Sequence, residues 1–224
     1  MKYITELHAH SAECSECAEM TADRVALKYI RLGYDTLVLT NHFKQYEVER
    51  CGSFEKSVNT LFEAARKAAE FAGDRLNVIP AVEVTLNRPW NDYLIYGVTR
   101  EFLLEDEGIF DYSLEKLYAR TSEAGMLLIE AHPMRFGSSP MKPKYLDGYE
   151  IFNGSNPNNE LALSWWQKYR ETAPIYTSGT DLHRLDQCPN AGILTGDPIR
   201  TNEDLLSVLR SGEYAVYCDH GSVK

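Results

Sequence analysis

A single-domain α/β barrel is the fold this sequence predicts, and three observations predict it. Short apolar runs rich in branched residues recur along the chain and alternate with helical patterns, as in a mainly parallel sheet wrapped by helices. Five of the six histidines, His8, His10, His42, His132 and His183, stand at or just beyond the ends of such runs. Ligands delivered from the ends of several strands are how α/β barrels assemble their sites. No G-x-G-x-x-G loop follows the first run, which argues against an open doubly wound sheet.

The elements follow in order. Residues 3–7 read as a first strand. Residues 21–32 are helical, with apolar Val25, Ala26, Tyr29, Ile30 and Leu32 and with Gly33 as the stop. Residues 36–39 form a second strand. Residues 54–72 form a long helix, apolar at Val58, Leu61, Phe62, Ala65 and Ala69 and closed by Gly73. Strands are expected at 76–84 and 93–98, a helix at 114–123, and strands at 126–129 and 148–152. A helix at 159–170, a strand at 175–178, a helix at 202–210 and a last strand at 214–217 complete the chain. Each of the runs that leads to His8 and His10, His42, His132 or His183 is short and apolar, so each reads as a buried parallel strand. Nothing marks a linker, a repeat or a low-complexity segment, and residues 1–224 read as one domain.

Composition narrows the function classes. The chain has 224 residues and is 44% hydrophobic, enough for one sizeable core. No apolar run approaches the roughly 20 residues that span a bilayer. The N-terminus lacks the apolar region and cleavage site of a signal peptide, so a cytoplasmic location is expected, with no membrane association. A net charge of −10 without a basic run disfavours a grip on long nucleic acid. Carboxylates neutralised by bound metal would nevertheless make a local phosphate receptor. Five cysteines, an odd number, argue for free thiols. Cys14 and Cys17 make a lone C-x-x-C between the first strand and a helix, which reads as loop thiols beside a metal site more readily than as a redox pair.

Acids accompany the histidines. Glu83 ends the third strand, Asp92 precedes the fourth, and Asp181 stands two residues before His183. Residues two apart on an extended strand share a face, so His8 and His10 can reach one metal, and Asp181 and His183 could serve one ion or two adjacent ions. Mixed imidazole and carboxylate donors suit Zn, Mn or Fe better than Ca or hydrated Mg. Glu83 is the candidate to bridge two ions. Asp92 reads equally as a ligand or as a cap of the turn before its strand. Arg135 suits bidentate phosphate binding, with a structural ion pair as the plainer alternative. Asn153, at another strand end, is a candidate to orient ligands or substrate. His220 lies in the polar tail and matches no motif.

Taken together, these residues resemble the polymerase-and-histidinol-phosphatase (PHP) family of metal-dependent phosphoesterases. The resemblance rests on Leu7-His8-Ala9-His10-Ser11, Leu39-Thr40-Asn41-His42, Val82-Glu83-Val84, Ala131-His132-Pro133 with Arg135 following, and Ser178-Gly179-Thr180-Asp181-Leu182-His183. Each motif alone is weak; five in family order from residue 7 to residue 183 are specific. The resemblance implies a distorted (β/α)7 barrel holding two to three divalent ions. One ion would take His8, His10, Glu83 and Asp181. A second would take Glu83, His132 and Asp92, where the family often has histidine. A third would take His42, His183 and a residue of the loop after His10. There Glu16 is the first choice and Glu13 the second, with Cys17 nearby.

The implied reaction is hydrolysis of a phosphate ester by a metal-activated hydroxide, with Arg135 on the phosphoryl oxygens and Asp181 and His183 in the catalytic set. His183, if protonated, would assist the leaving oxygen. The expected substrate is a small phosphomonoester, and no obligate protein partner is evident. An exonuclease acting on short nucleic-acid ends is the alternative. A non-catalytic metal-binding module would be expected to have lost several of these ligands. A hydrolase of C–N bonds on a related barrel usually wants a metal-bridging lysine, and Lys142 and Lys144 lie in a Pro-flanked loop.

Overall fold

The computed structural model describes residues 2–218, so His220 lies outside the described residues. Strands β1 (Tyr3–Ala9), β2 (Thr36–Phe43), β3 (Asn77–Thr85), β4 (Asp92–Tyr96), β5 (Leu127–Glu130), β6 (Gly148–Asn153), β7 (Ile175–Gly179), β8 (Ala191–Thr195) and β9 (Ala215–Cys218) make one sheet among the described residues. Its order is β7-β6-β5-β4-β3-β2-β1-β8-β9. The sheet curls until β1 meets the chain just after β7, through the parallel bridge Ala9–Leu182. The seam is held by hydrogen bonds from Asp181 N to His8 O at 2.8 Å and from His10 N to Leu182 O at 3.1 Å. The result is the distorted, nearly closed α/β barrel that the sequence predicts.

Among the described residues seven α-helices pack around it: α1 (Ala22–Arg31), α2 (Gln45–Cys51), α3 (Phe54–Ala72), α4 (Arg100–Leu104), α5 (Leu114–Glu123), α6 (Asn159–Tyr169) and α7 (Asn202–Ser211). Caps set several of these boundaries. Ser53 accepts from Lys56 N at the start of α3, and Thr201 and Asp204 form a capping box on α7.

Two expectations need correction. The fourth strand is not parallel: β4 runs antiparallel to both β3 and β5, joined to β3 by a short connection. A two-sided apolar run such as Tyr93-Leu94-Ile95-Tyr96 records burial on both faces, not direction. The reversal has a functional consequence, because it brings Asp92, the first residue of β4, to the end of the barrel where the parallel strands terminate. Strand β8, antiparallel to β1, was not expected at all. Its run Ala191-Gly192-Ile193-Leu194-Thr195 is short and carries a glycine. Helices α2 and α4 are also additional, each too brief to show a period.

Alternation along the strands separates two apolar layers. Val38, Ile79, Ala81, Leu94, Tyr96, Leu127 and Ile129 fill the barrel interior, whereas Leu37, Leu39, Val82, Val84, Ile95 and Leu128 pack towards the helices. The period of two then places Thr40 and His42 on the inner face beyond Val38, Glu83 beyond Ala81, and Asp92 before Leu94. The polar cluster is therefore the last layer of the barrel filling.

Gly179 lets β7 approach β1. A Cβ there would stand 2.3 Å from the Cβ of His8 and 2.9 Å from Glu150 Oε1, so no side chain fits at this seam.

Candidate metal centre

Seven side chains converge at the C-terminal end of the parallel strands. His8 and His10 come from the end of β1, His42 from β2, Glu83 from β3, and His132 from the turn after β5. Asp181 and His183 come from the segment after β7. His8, His10, Glu83 and His132 are at most 4% exposed, and His42 and Asp181 reach 9%. Neither Asp181 nor His183 lies in a strand, so extended geometry does not align them as expected. Asp181 instead adopts φ 54°, and His132 φ 30°. Such left-handed backbone at non-glycine residues costs about 1–3 kcal/mol each and persists where the surroundings over-determine it. Here it turns both side chains back into the cluster.

Glu83 is the hub. Its Oε1 lies 2.9 Å from His132 Nε2 and 3.4 Å from His8 Nε2, and its Oε2 lies 2.7 Å from His42 Nδ1 and 3.5 Å from His10 Nε2. One carboxylate thus faces both halves of the cluster, the position expected of a bridging ligand. Asp181 Oδ1 lies 3.5 Å from His8 Nε2, 3.2 Å from His10 Nε2 and 3.3 Å from His183 Nδ1. Three metal-sized groupings result: His8, His10 and Asp181; His8, Glu83 and His132; and His10, His42 and His183.

The donors fit divalent ions. His8 Nε2, His10 Nε2, His42 Nδ1, Glu83 Oε2 and Asp181 Oδ1 are buried without a properly directed hydrogen-bond partner. Orphaned buried polar atoms are costly, and five of them facing one small space form a ligand set. His42 Nε2 and His183 Nε2 lie 3.4 Å apart. Two nitrogens on one tetrahedral zinc, each about 2.0–2.1 Å from it, stand about 3.4 Å apart.

Without ions the cluster behaves as a coupled ion-pair network. Burial pushes Glu83 up, but His8, His42 and His132 outweigh it and hold the carboxyl well below its usual range. Asp181 is likewise held low, against its burial, chiefly by His8. Burial pushes His42 down, yet Glu83 and the Cys17 thiol raise it to about 9. His183 is raised to about 10 against its burial, chiefly by Asp181 and Cys17. His10 goes the other way, held well below the usual range by burial and by its neighbours His183 and His42.

A second layer orients these ligands. Glu150 on β6 lies 2.9 Å from His8 Nδ1 and accepts from His132 N and from Asn153 Nδ2. Asn153 also donates to Asp181 Oδ2 at 3.3 Å. It is buried and is not among the residues that line the cleft, so of its two expected roles the geometry favours orienting a ligand, Asp181. Glu6 accepts from the backbone N–H groups of Leu7, His8 and Thr180 and from the hydroxyls of Tyr29 and Thr180. Its burial raises its carboxyl to about 7. Ser15 Oγ accepts from His42 N and lies 3.3 Å from His10 Nδ1. Sequence reasoning missed Glu6, Ser15 and Glu150, although a lone carboxylate inside a strand as apolar as β1 or β6 was a usable signal. Glu150→Gln is expected to weaken metal binding by about 10–100-fold with the barrel intact, read by metal titration.

Two predicted residues sit at the margin. Asp92 Oδ2 lies 3.8 Å from His132 Nε2 and 3.1 Å from the Arg135 guanidinium, and Thr85 donates to Asp92 Oδ1. Arg135 is half exposed, so its guanidinium is both an ion-pair partner and open to the cleft. Glu16, first choice for the third position, is not brought to the cluster. Its carboxylate accepts from the exposed Tyr46 hydroxyl, and its N–H is tied to Glu47. Glu13 turns away as well, with both oxygens on Ala22 N at the start of α1. Cys17 lines the cleft together with His42 and His183; burial would raise its thiol, but the two histidines lower it to about 6. Cys14 and Cys17 are both free.

A cleft of about 640 Å³ opens over Asp92, His132, Asp181 and His183. Lys44 and Arg135 bring positive charge to its wall, and Trp90, Phe136 and Tyr46 stand at its rim. Lys44 directly follows β2, a strand-end lysine that sequence reasoning passed over.

No family model and no curated protein sequence matches the chain. Solved structures do. PsfC from Pseudomonas syringae PB-5123 is 18% identical with a TM-score of 0.65, over 92% of this chain and 88% of that one. A protein of Bifidobacterium adolescentis assigned as a metal-dependent phosphoesterase is 14% identical with a TM-score of 0.56, over 94% and 96%. An amidohydrolase from Chromobacterium violaceum with bound sulfate is 14% identical with a TM-score of 0.57, over 97% and 99%. At such identities the likeness is one of fold. It shows the same distorted barrel that the PHP-like motifs imply, over nearly the whole chain.

Proposed function

We propose that this chain is a PHP-type metal-dependent phosphoesterase and that its substrate is a small phosphomonoester. The observation that carries this reading is the bridging position of Glu83 between two groups of orphaned histidine nitrogens, beneath a cleft walled by Arg135 and Lys44. Among the solved relatives in fold, one is assigned as a metal-dependent phosphoesterase.

Ions held by His8, His10, Glu83, His132 and Asp181, with His42 and His183 beside them, would supply Lewis acidity and lower the pKa of a water in the cleft towards neutrality. The chain's own groups do the rest. Arg135 offers paired N–H donors to phosphoryl oxygens and is held in place by Asp92. Glu150 and Asn153 fix the orientations of His8 and Asp181. His183 Nε2, open to the cleft, can hold a proton for the leaving oxygen or a metal ion, but not both.

Hydrolysis of C–N bonds is disfavoured because that chemistry usually wants a bridging lysine, and here the group between the two sets of histidines is the Glu83 carboxylate. Exonucleolytic attack on nucleic-acid ends is the second reading. Trp90, 77% exposed, and Phe136, 98% exposed, offer faces on which a base could stack.

The deciding measurement uses Mn²⁺-loaded protein on an aryl phosphate and on short oligonucleotides. Phosphate release from the ester is expected, falling by at least about 10²–10³-fold in Asp181→Ala. Mononucleotide release alone would establish the second reading. Retained metal with both substrates intact would overturn catalysis in favour of a binding module.

A further inference from the structure

We infer that Cys17 is a metal ligand, and that with His42 and His183 it makes the third position selective for a thiophilic divalent ion such as Zn²⁺, Co²⁺ or Fe²⁺. The inference rests on reading the cluster as a metal centre and specifies its outermost position.

The loop after β1 delivers the thiol. Ser11 N–H donates to Asn41 Oδ1 at 2.6 Å, which pins the loop's start beside β2. Ser15 is tied to His42, whose backbone N–H donates to Ser15 Oγ at 3.0 Å. Glu19 is tied to His183, donating its N–H to the His183 carbonyl at 2.8 Å. Cys17 stands midway between Ser15 and Glu19, so the two bonds that anchor its flanks run to the two histidines it would join. Cys17 lines the cleft together with both histidines.

The alternatives in the same loop are engaged elsewhere: Glu13 caps α1 and Glu16 meets Tyr46. Within the cluster, His10 Nε2 is fully buried, lacks a hydrogen-bond partner and groups with His42 and His183. The 3.4 Å between the nitrogens of His42 and His183 suits a tetrahedral ion. Two imidazoles and a thiolate, with His10 Nε2 beside them, make a donor set that soft and borderline ions prefer and that Mn²⁺ and Mg²⁺ do not.

The test is Co²⁺ titration of the chelator-treated full-length protein, followed by optical absorption. Wild-type protein is expected to develop a near-ultraviolet thiolate-to-Co²⁺ charge-transfer band together with the visible ligand-field bands. Cys17→Ser is expected to lose the first, keep the second, and bind Zn²⁺ at one position at least about tenfold more weakly. Cys17→Asp is expected to restore the full number of ions without the charge-transfer band. Cys188→Ser, a change to an exposed thiol away from the cluster, should leave the spectrum unaltered. A charge-transfer band that survives in Cys17→Ser, or a wild-type protein that binds Co²⁺ without one, would overturn the assignment and leave the phosphoesterase reading standing. Failure of wild-type protein to bind any Co²⁺ would overturn both.

Discussion

Glu83→Gln is expected to abolish activity and to empty more than one metal position at once. The carboxylate touches four histidines, with contacts of 2.7 to 3.5 Å spread over both oxygens. An amide has one acceptor oxygen, and its NH₂ would point at imidazole nitrogens that already lack acceptors. The loss should exceed about 10³-fold in kcat/KM, more than a single misplaced transition-state donor costs, and metal content should drop by at least two ions per chain. Stability should respond in the opposite sense to usual expectation when metal is present. Wild-type protein gains from ions that bind only the folded state, so the variant should melt well below metal-loaded wild type. Against metal-free wild type the gap should narrow. Metal analysis alongside kinetics decides the matter: full occupancy with low activity would make Glu83 a catalytic group and not a bridging ligand.

The second large effect is on pH. In the metal-free cluster His42 and His183 are raised to about 9 and about 10, and His132 is raised as well. Metal must displace those protons, so uptake at neutral pH should release protons to the medium. Apparent affinity should then rise about tenfold per pH unit for each proton displaced, up to pH about 9–10. Stability of the metal-free protein follows the linkage sign. The raised histidines stabilise it fully below their unfolded value near 6.5, and that contribution fades as pH climbs through about 9 to 10. Glu83 and Asp181, held low, contribute above the usual carboxylate range and are lost as pH falls through their depressed folded values. The metal-free protein should thus be most stable between these limits, and the stabilisation by added Zn²⁺ should grow with pH. Calorimetric titration in two buffers of different ionisation enthalpy measures the protons released. Uptake without proton release would refute the protonated state of the apo cluster.

The comparison of sequence with structure is instructive residue by residue. The long helix at residues 54–72 and the helix at 114–123 were legible to their last residue, because an apolar stripe of period 3.6 bounded by serine and glycine has one local solution. That His8, His10, His42, Glu83, His132, Asp181 and His183 would gather at one end of the barrel was also legible, since each is a polar residue at or just beyond the end of an apolar run. Direction was not legible. The run that forms β4 has the same pattern whether the strand runs up or down, and only its pairing with β3 and β5 decided that Asp92 would face His132. Backbone turns were hidden as well: Asp181 and His183 meet through a left-handed residue that no side-chain pattern announces.

What the sequence by itself determined is the barrel class, most of the elements and the chemistry of the donors, because periodicity and residue type are local properties. What only the tertiary structure decided is partnership. Which of Glu13, Glu16 and Cys17 lines the cleft beside His42 and His183 turned on where the loop's anchors at those two histidines left each side chain. Glu150 became a support of the site only when β6 was brought within hydrogen-bonding distance of His8, and Glu6 only when Thr180, after β7, was brought within that distance of it. Those contacts join residues more than a hundred positions apart, and their energies depend on distances that closure of the sheet creates.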